Sequence, residues 1–226
     1  MTNENKEDKI IESAHIFRRT ERRRGEPAFN LPPVVGLLLL LNLGVFLAGQ
    51  VFPTLASNEA LYALAFVPAR YFGGEPAGFP ALFSPFTHMF VHAGWTHLLI
   101  NAGMLLSFGA GLEKRMGGRR MLALYLLSGL IGAFAHAAIY PQETAPMIGA
   151  SGAISGLFGG IIMMIYAPAS GAPDYKKVVP FALLWIAVSV FFGVFGMPGL
   201  DNPIAWTAHI GGFIAGLFLY RFFAPR

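Results

Sequence analysis

Gly149-Ala-Ser-Gly-Ala-Ile-Ser-Gly156 opens an otherwise apolar segment running from Ile148 to Pro168. Its reading decides the fold. About 20 mostly apolar residues are needed to cross a bilayer, and this segment is one of six that qualify. The others are Val34–Phe52, Trp95–Leu112, Met121–Tyr140, Val178–Met197 and Ile204–Phe223. The chain has 226 residues, 55% of them hydrophobic and 12% charged, where soluble domains carry about a quarter charged. The expected fold is an all-α membrane protein with six transmembrane helices. Pro53–Gly94, rich in Gly, Pro and Phe, forms a long interfacial loop between the first two spans, with irregular backbone buried against protein or water.

The charges set the domain organisation and the orientation. Residues 1–30 hold seven of the 16 Lys and Arg, so they read as a basic cytoplasmic tail, with a helical stretch around Ile10–Phe17, ahead of a core at 31–226. A basic cluster beside a span is a topology signal rather than a nucleic-acid site, and no nucleic-acid partner is expected. With both termini in the cytoplasm, fifteen of the 16 basic residues face inward and only Arg70 faces out. The expected location is the cell (inner) membrane, as a multi-pass protein. The chain has no cysteine, which excludes disulfides, cysteine nucleophiles and thiolate metal sites.

In that topology the second, fourth and sixth spans enter from the outer face. Counted from their first residues, Ser151 lies three residues deep, His209 five, His97 two and Asn101 six. At about 1.5 Å per residue these groups share a layer roughly 3–9 Å below the outer boundary. Gly152, Gly156 and Gly160 recur every four residues on the fourth span, and Ala208, Gly212 and Gly216 do so on the sixth. Such faces let membrane helices approach closely. Two readings of Ser151 stand at this point. It is a small residue of the seam, or its hydroxyl donates to His209 across the contact. A histidine at matching depth favours the second.

The other polar residues are weighed in the same way. Asn101 either bonds a neighbouring helix or, with His97 on the same face, donates to an oxyanion. The first turn of the fourth helix adds free backbone donors. His88 and His92 lack the Glu of a zinc-protease helix; no metal or cofactor is expected, and both read as loop-anchoring hydrogen-bond formers. His136 reads as a hydrogen-bonded packing residue. No Asp or Glu falls well inside a span, and Asp201, eight residues before His209, reads as solvated. A catalytic unit here is therefore a Ser–His dyad, and a cation-coupled transporter, which needs intramembrane carboxylates, is disfavoured.

His97-Leu-Leu-Ile-Asn101, Gly149-Ala-Ser151-Gly152 and Ala208-His209-Ile-Gly-Gly, with the turn Gly111-Leu-Glu-Lys-Arg-Met-Gly117 between them, resemble the rhomboid family of intramembrane serine proteases. The resemblance covers roughly residues 31–226, in order, and implies an enzyme cleaving transmembrane protein substrates within the lipid bilayer. It implies Ser151 as nucleophile and His209 as general base. His97, Asn101 and the backbone at Gly149 would bind the oxyanion, and Glu113 and Arg115 would hold structure on the inner side. The fifth span and Met197–Pro203 would form a gate. Two positions depart from some relatives. Ser155 stands where an aromatic residue packs on the histidine, leaving Phe158 or another helix to hold His209, and Phe83-Ser84 replaces a Trp-Arg pair. The resemblance leaves the oligomeric state open.

Overall fold

A computed structural model describes residues 31–52, 54–55, 57–74, 77–166, 173–196 and 204–224. The expected tail at 1–30, with its helix at Ile10–Phe17, and the Met197–Pro203 connection with Asp201 lie outside the described residues. Pro32–Arg226 make one compact unit. Its six long helices are α1 (Pro33–Val51), α2 (Trp95–Met116), α3 (Gly118–Ile139), α4 (Ser151–Tyr166), α5 (Tyr175–Phe195) and α6 (Trp206–Phe223).

Each expected span is present with shifted ends, and the shifts have local causes. Gly149 takes φ +111°, a conformation that a side chain resists, so α4 starts at Ser151 rather than Ile148. Gly117, at φ +83°, likewise separates α2 from α3. In α2 the five residues Leu105–Gly109 adopt a π-helical turn, and the helix runs on past Leu112 to Met116. At α5 the helix begins before Val178, with an Asp174–Lys177 ion pair of 3.2 Å at its exposed start.

Three helices, α1, α3 and α5, are long and apolar enough to cross a membrane alone, and α2 is so jointly with Ser84–Phe90 across a 98° bend. The short α4 and α6 do not meet that standard alone. At 16 residues, α4 is about 24 Å long against a hydrocarbon core of about 30 Å. Both helices bury much of their surface against other helices. Ten residues of α4 are buried, and α6 packs most extensively on α4 and α3. By contrast α1 and α5 turn Leu37, Leu40, Leu183, Leu184 and Phe195 outward. That is the distribution of a bundle whose solvent is lipid.

The loop at 53–94 is less irregular than its composition suggests. It folds into short helical turns at Asn58–Leu64, Ala69–Phe72, Phe79–Leu82, Ser84–Thr87 and His88–Phe90, which satisfy much of its backbone locally. It docks through a two-bond bridge: the Phe66 N–H donates to the Met147 carbonyl at 3.0 Å, and the Met147 N–H to the Phe66 carbonyl at 2.9 Å. Phe66, Tyr71 and Phe134 stack beside it. Ser84 is fully buried and within 2.8 Å of the Tyr71 hydroxyl, which itself lies 2.7 Å from the Ala81 carbonyl. These contacts anchor the loop without a Trp-Arg pair.

On the opposite side of the sequence pattern, Glu113 caps a helix 78 residues away. The Val34 N–H donates to its Oε1 at 3.0 Å and the Val35 N–H to its Oε2 at 2.8 Å. Two of the N–H groups that open α1 are thus satisfied by a buried carboxylate that also complements the helix dipole. Arg115 lies against the Tyr220 hydroxyl of α6. Both residues therefore tie helices together.

Candidate active site

The α4–α6 seam is built from glycine. A Cβ at Gly212 would collide with the Gly152 carbonyl oxygen, and one at Gly216 with the Gly156 carbonyl oxygen. The expected seam member Gly160 is turned elsewhere, toward Leu124 and Leu112, and Gly159 takes its place against Phe213 and Leu217. The cause is geometric. At about 100° per residue a four-residue step overshoots a full turn by about 40°, and two steps drift by about 80°. Seven residues from Gly152 to Gly159 nearly close two turns.

This close approach sets Ser151, the first residue of α4, beside His209 in the first turn of α6. His209 Nε2 and Ser151 Oγ are 2.8 Å apart. When Nδ1 carries the ring proton, the hydroxyl donates to Nε2, which is the arrangement needed to activate an oxygen nucleophile. Among the described residues no carboxylate bonds His209 and no aromatic ring stacks on it. Ser155 does not replace the missing aromatic: its hydroxyl donates to the Ser151 carbonyl at 2.7 Å. Phe158 is occupied by Phe108, Trp185 and Phe213.

His97, near the start of α2, completes a convergence of three helix N-termini. Its Nδ1 accepts a long bond, 3.5 Å, from the Ala93 N–H, which leaves the proton on Nε2. That nitrogen lies over Gly149, where an added Cβ would stand 2.6 Å from it. Gly149 is therefore required for the approach, but it is not itself a free donor. Its N–H is taken by the His88 carbonyl at 2.8 Å, which corrects its expected place among the oxyanion donors. The N–H groups of Ser151, Gly152 and Ala153 precede the first helical bond of α4, donated by Ile154 to Ala150, and belong to the orphan donors of a helix start.

Asn101 is buried, and its Nδ2 donates to the His97 carbonyl at 2.9 Å. It thus bonds its own helix rather than a neighbouring one, and one amide proton is left over. His88 anchors the loop as expected, its Nδ1 donating to the Ser84 carbonyl at 2.9 Å. His92 is buried close to the Phe90 backbone, and its ring meets His97 edge-on at 5.0 Å. His136 is hydrogen-bonded, to Thr207 of α6 at 2.6 Å. Thr207 escaped the sequence reading, although it stands two residues before His209 at the same depth.

A family model described as the rhomboid domain matches residues 81–226, well over half of the chain. The chain belongs to the rhomboid family. Its curated relatives include RHOMBOID-like protein 4 of Arabidopsis thaliana, 37% identical over 129 residues, covering 57% of this chain and 31% of that protein. The putative rhomboid protease YdcA of Bacillus subtilis is 33% identical over 134 residues, 59% of this chain and 63% of the relative. Rhomboid protease GlpG of Salmonella paratyphi A is 32% identical over 134 residues, 58% of this chain and 45% of the relative. This rhomboid therefore spans between about a third and two thirds of those relatives' lengths. It is an all-α, multi-pass membrane protein.

Proposed function

We propose that this rhomboid is an intramembrane serine endopeptidase, hydrolysing peptide bonds in or near the transmembrane segment of membrane-protein substrates. The observation that carries the reading is the 2.8 Å contact between Ser151 Oγ and His209 Nε2 across a glycine seam. The names of YdcA and GlpG as rhomboid proteases support the reaction class.

In this reading Ser151 Oγ attacks the scissile carbonyl carbon while its proton passes to His209 Nε2. The developing oxyanion lies among the His97 Nε2–H, the unused Asn101 amide proton and the first N–H groups of α4, with positive ends of helix dipoles behind them. As the intermediate collapses, the C–N bond breaks and His209 returns the proton to the leaving amine. Water then gives its proton to His209 and attacks the acyl-serine, and Ser151 leaves with a proton restored. The dyad works without an acid partner, because placement and donors supply much of the effect.

Basic residues concentrate on one side of the spans, which supports cytoplasmic termini, a cytoplasmic tail at 1–30 and an outward-facing site in the cell membrane. A site near the outer surface has access to water, which hydrolysis consumes. A substrate helix must unwind to present its carbonyl, and the polar pocket offers partners that hydrocarbon does not.

The test is reconstitution in liposomes with a tagged single-span substrate, comparing the wild-type chain with Ser151→Ala and His209→Ala. Cleavage by the wild type and by neither variant is expected. Persistent cleavage by Ser151→Ala would refute the assignment.

A further inference from the structure

His136 and Thr207 take no part in the proton transfers above, yet they form the closest side-chain hydrogen bond described in the molecule. His136 Nδ1 lies 2.6 Å from Thr207 Oγ1, across 71 residues of chain. Both are buried, with His136 7% and Thr207 2% exposed. One is near the end of α3, the other near the start of α6.

Residues two apart on a helix diverge by about 200°. Thr207 and His209 therefore leave α6 on opposite flanks, one toward α3 and the other toward Ser151. Between them, the Ala208 carbonyl is pressed against both neighbours: added Cβ atoms would stand 2.6 Å from it at Gly132 of α3 and 3.5 Å from it at Gly152 of α4. Such contacts fix how near α6 can come. Backbone contact of this kind does not by itself fix the rotation of the first turn, where Trp206 also packs at Gly193 of α5. A directional hydrogen bond does.

Apart from its contact with Ser151, His209 has no directional restraint of its own among the described residues. Its Nδ1 has no hydrogen bond among the described residues, Ser155 is turned to its own helix, and Phe158 is packed among Phe108, Trp185 and Phe213. A rotation of α6 by about 10° carries a side-chain tip by about 1 Å, and a displacement of that size costs as much as about 10²-fold in rate.

We infer that His136 is a positioning residue: its hydrogen bond to Thr207 sets the rotation of the first turn of α6 and so holds His209 Nε2 against Ser151 Oγ. The inference rests on the reading of Ser151 and His209 as the catalytic dyad. It assigns to a third histidine the orienting work that an acid or a stacked aromatic ring performs elsewhere.

The experiment uses the full chain in liposomes with two readouts: the rate at which a fluorophosphonate labels Ser151, and kcat and KM on a tagged single-span substrate. Thr207→Val removes the hydroxyl at nearly constant shape. It is expected to slow labelling and kcat by about tenfold, with KM within about twofold. Thr207→Ser restores both rates. His136→Ala matches the valine variant, the double variant is no slower than the slower single one, and His136→Asn, whose amide stands near the lost Nδ1, recovers part of the rate. Labelling of Thr207→Val at the wild-type rate overturns the inference and leaves the protease reading intact. Should Thr207→Val not accumulate in folded form, equal rates for His136→Ala and His136→Asn overturn it instead. A wild-type chain that neither labels nor cleaves removes the protease reading, and this inference with it.

Discussion

Helices α5 and α6 are neighbours, and the bundle treats them differently. In α6 the backbone itself is the packing surface. Gly212 and Gly216 bring it onto the Gly152 and Gly156 carbonyls, and Phe213 and Tyr220 fill the core. In α5 only Val178 and Ser189 are buried, while Leu183, Leu184, Phe191 and Phe195 face outward. At Gly193 of α5 the missing Cβ leaves room for the Trp206 side chain of α6. The helix that carries His209 is packed backbone to backbone, and the one beside it is held by general apolarity. The tightest backbone packing is concentrated where the proposed proton transfer lies, between Ser151 and His209.

The sharpest way to break this comparison is at the dyad. Ser151→Ala or His209→Ala is expected to lower cleavage by about 10⁴-fold or more, read as product on a gel, with the melting temperature little changed. Next comes the seam. Gly212→Val places a side chain into the Gly152 carbonyl and is expected to cost about 3 kcal/mol, read as a lower thermal midpoint in detergent. Fluorophosphonate labelling of Ser151 should fall by about 10²-fold with it, since a shift of about 1 Å is enough. If Gly212→Val labels like the wild type, α6 is not the precise element described.

Glu113→Ala separates stability from chemistry. It leaves the Val34 and Val35 N–H groups without their acceptor and is expected to cost about 2 kcal/mol, while labelling per folded molecule stays within about threefold. The smallest effect belongs to α5. Leu184 is 60% exposed, and Leu184→Ala is expected to change stability by less than about 0.5 kcal/mol. A cost like that of the Gly212 variant would mean that α5 is bound as tightly as α6.

Much of this architecture is legible in the order of the residues alone. Ser151 and His209 meet across the α4–α6 contact that the small-residue spacing points to, because packed helices have few registers open to them. The errors arise where a one-dimensional pattern meets three-dimensional competition. Gly160 satisfies the four-residue repeat, but helical drift turns it to Leu124 and gives its place to Gly159. Gly149 sits close to the nucleophile, yet the His88 carbonyl, 61 residues earlier in the chain, reaches its N–H first. Asn101 finds the His97 carbonyl four residues back on its own helix, and its side-chain amide donates to that oxygen's second lone pair. No spacing rule foretells that His92 lies edge-on to His97 while His88 bonds the Ser84 carbonyl, because the difference depends on how the loop folds over Phe66 and Met147. Thr207 was visible as a polar residue at the right depth; its partner His136, at the far end of another span, was visible only as an isolated histidine.

The π-helical turn at Leu105–Gly109 bears on both ends of α2. Asn101 and Glu113 are twelve residues apart, a separation that would set them about 120° apart around a regular helix. A π-turn absorbs one extra residue, so the effective spacing is eleven and the two side chains fall within about 20° of each other. The widened turn works as a phase corrector, letting a single helix serve the surroundings of Ser151 and the footing of α1 at once. Removing one residue within it would leave both side chains in phase on a regular helix. Tightening the turn with every residue kept would instead swing Glu113 by about 100° away from the amides it holds, so a locally more ideal helix would yield a less stable protein.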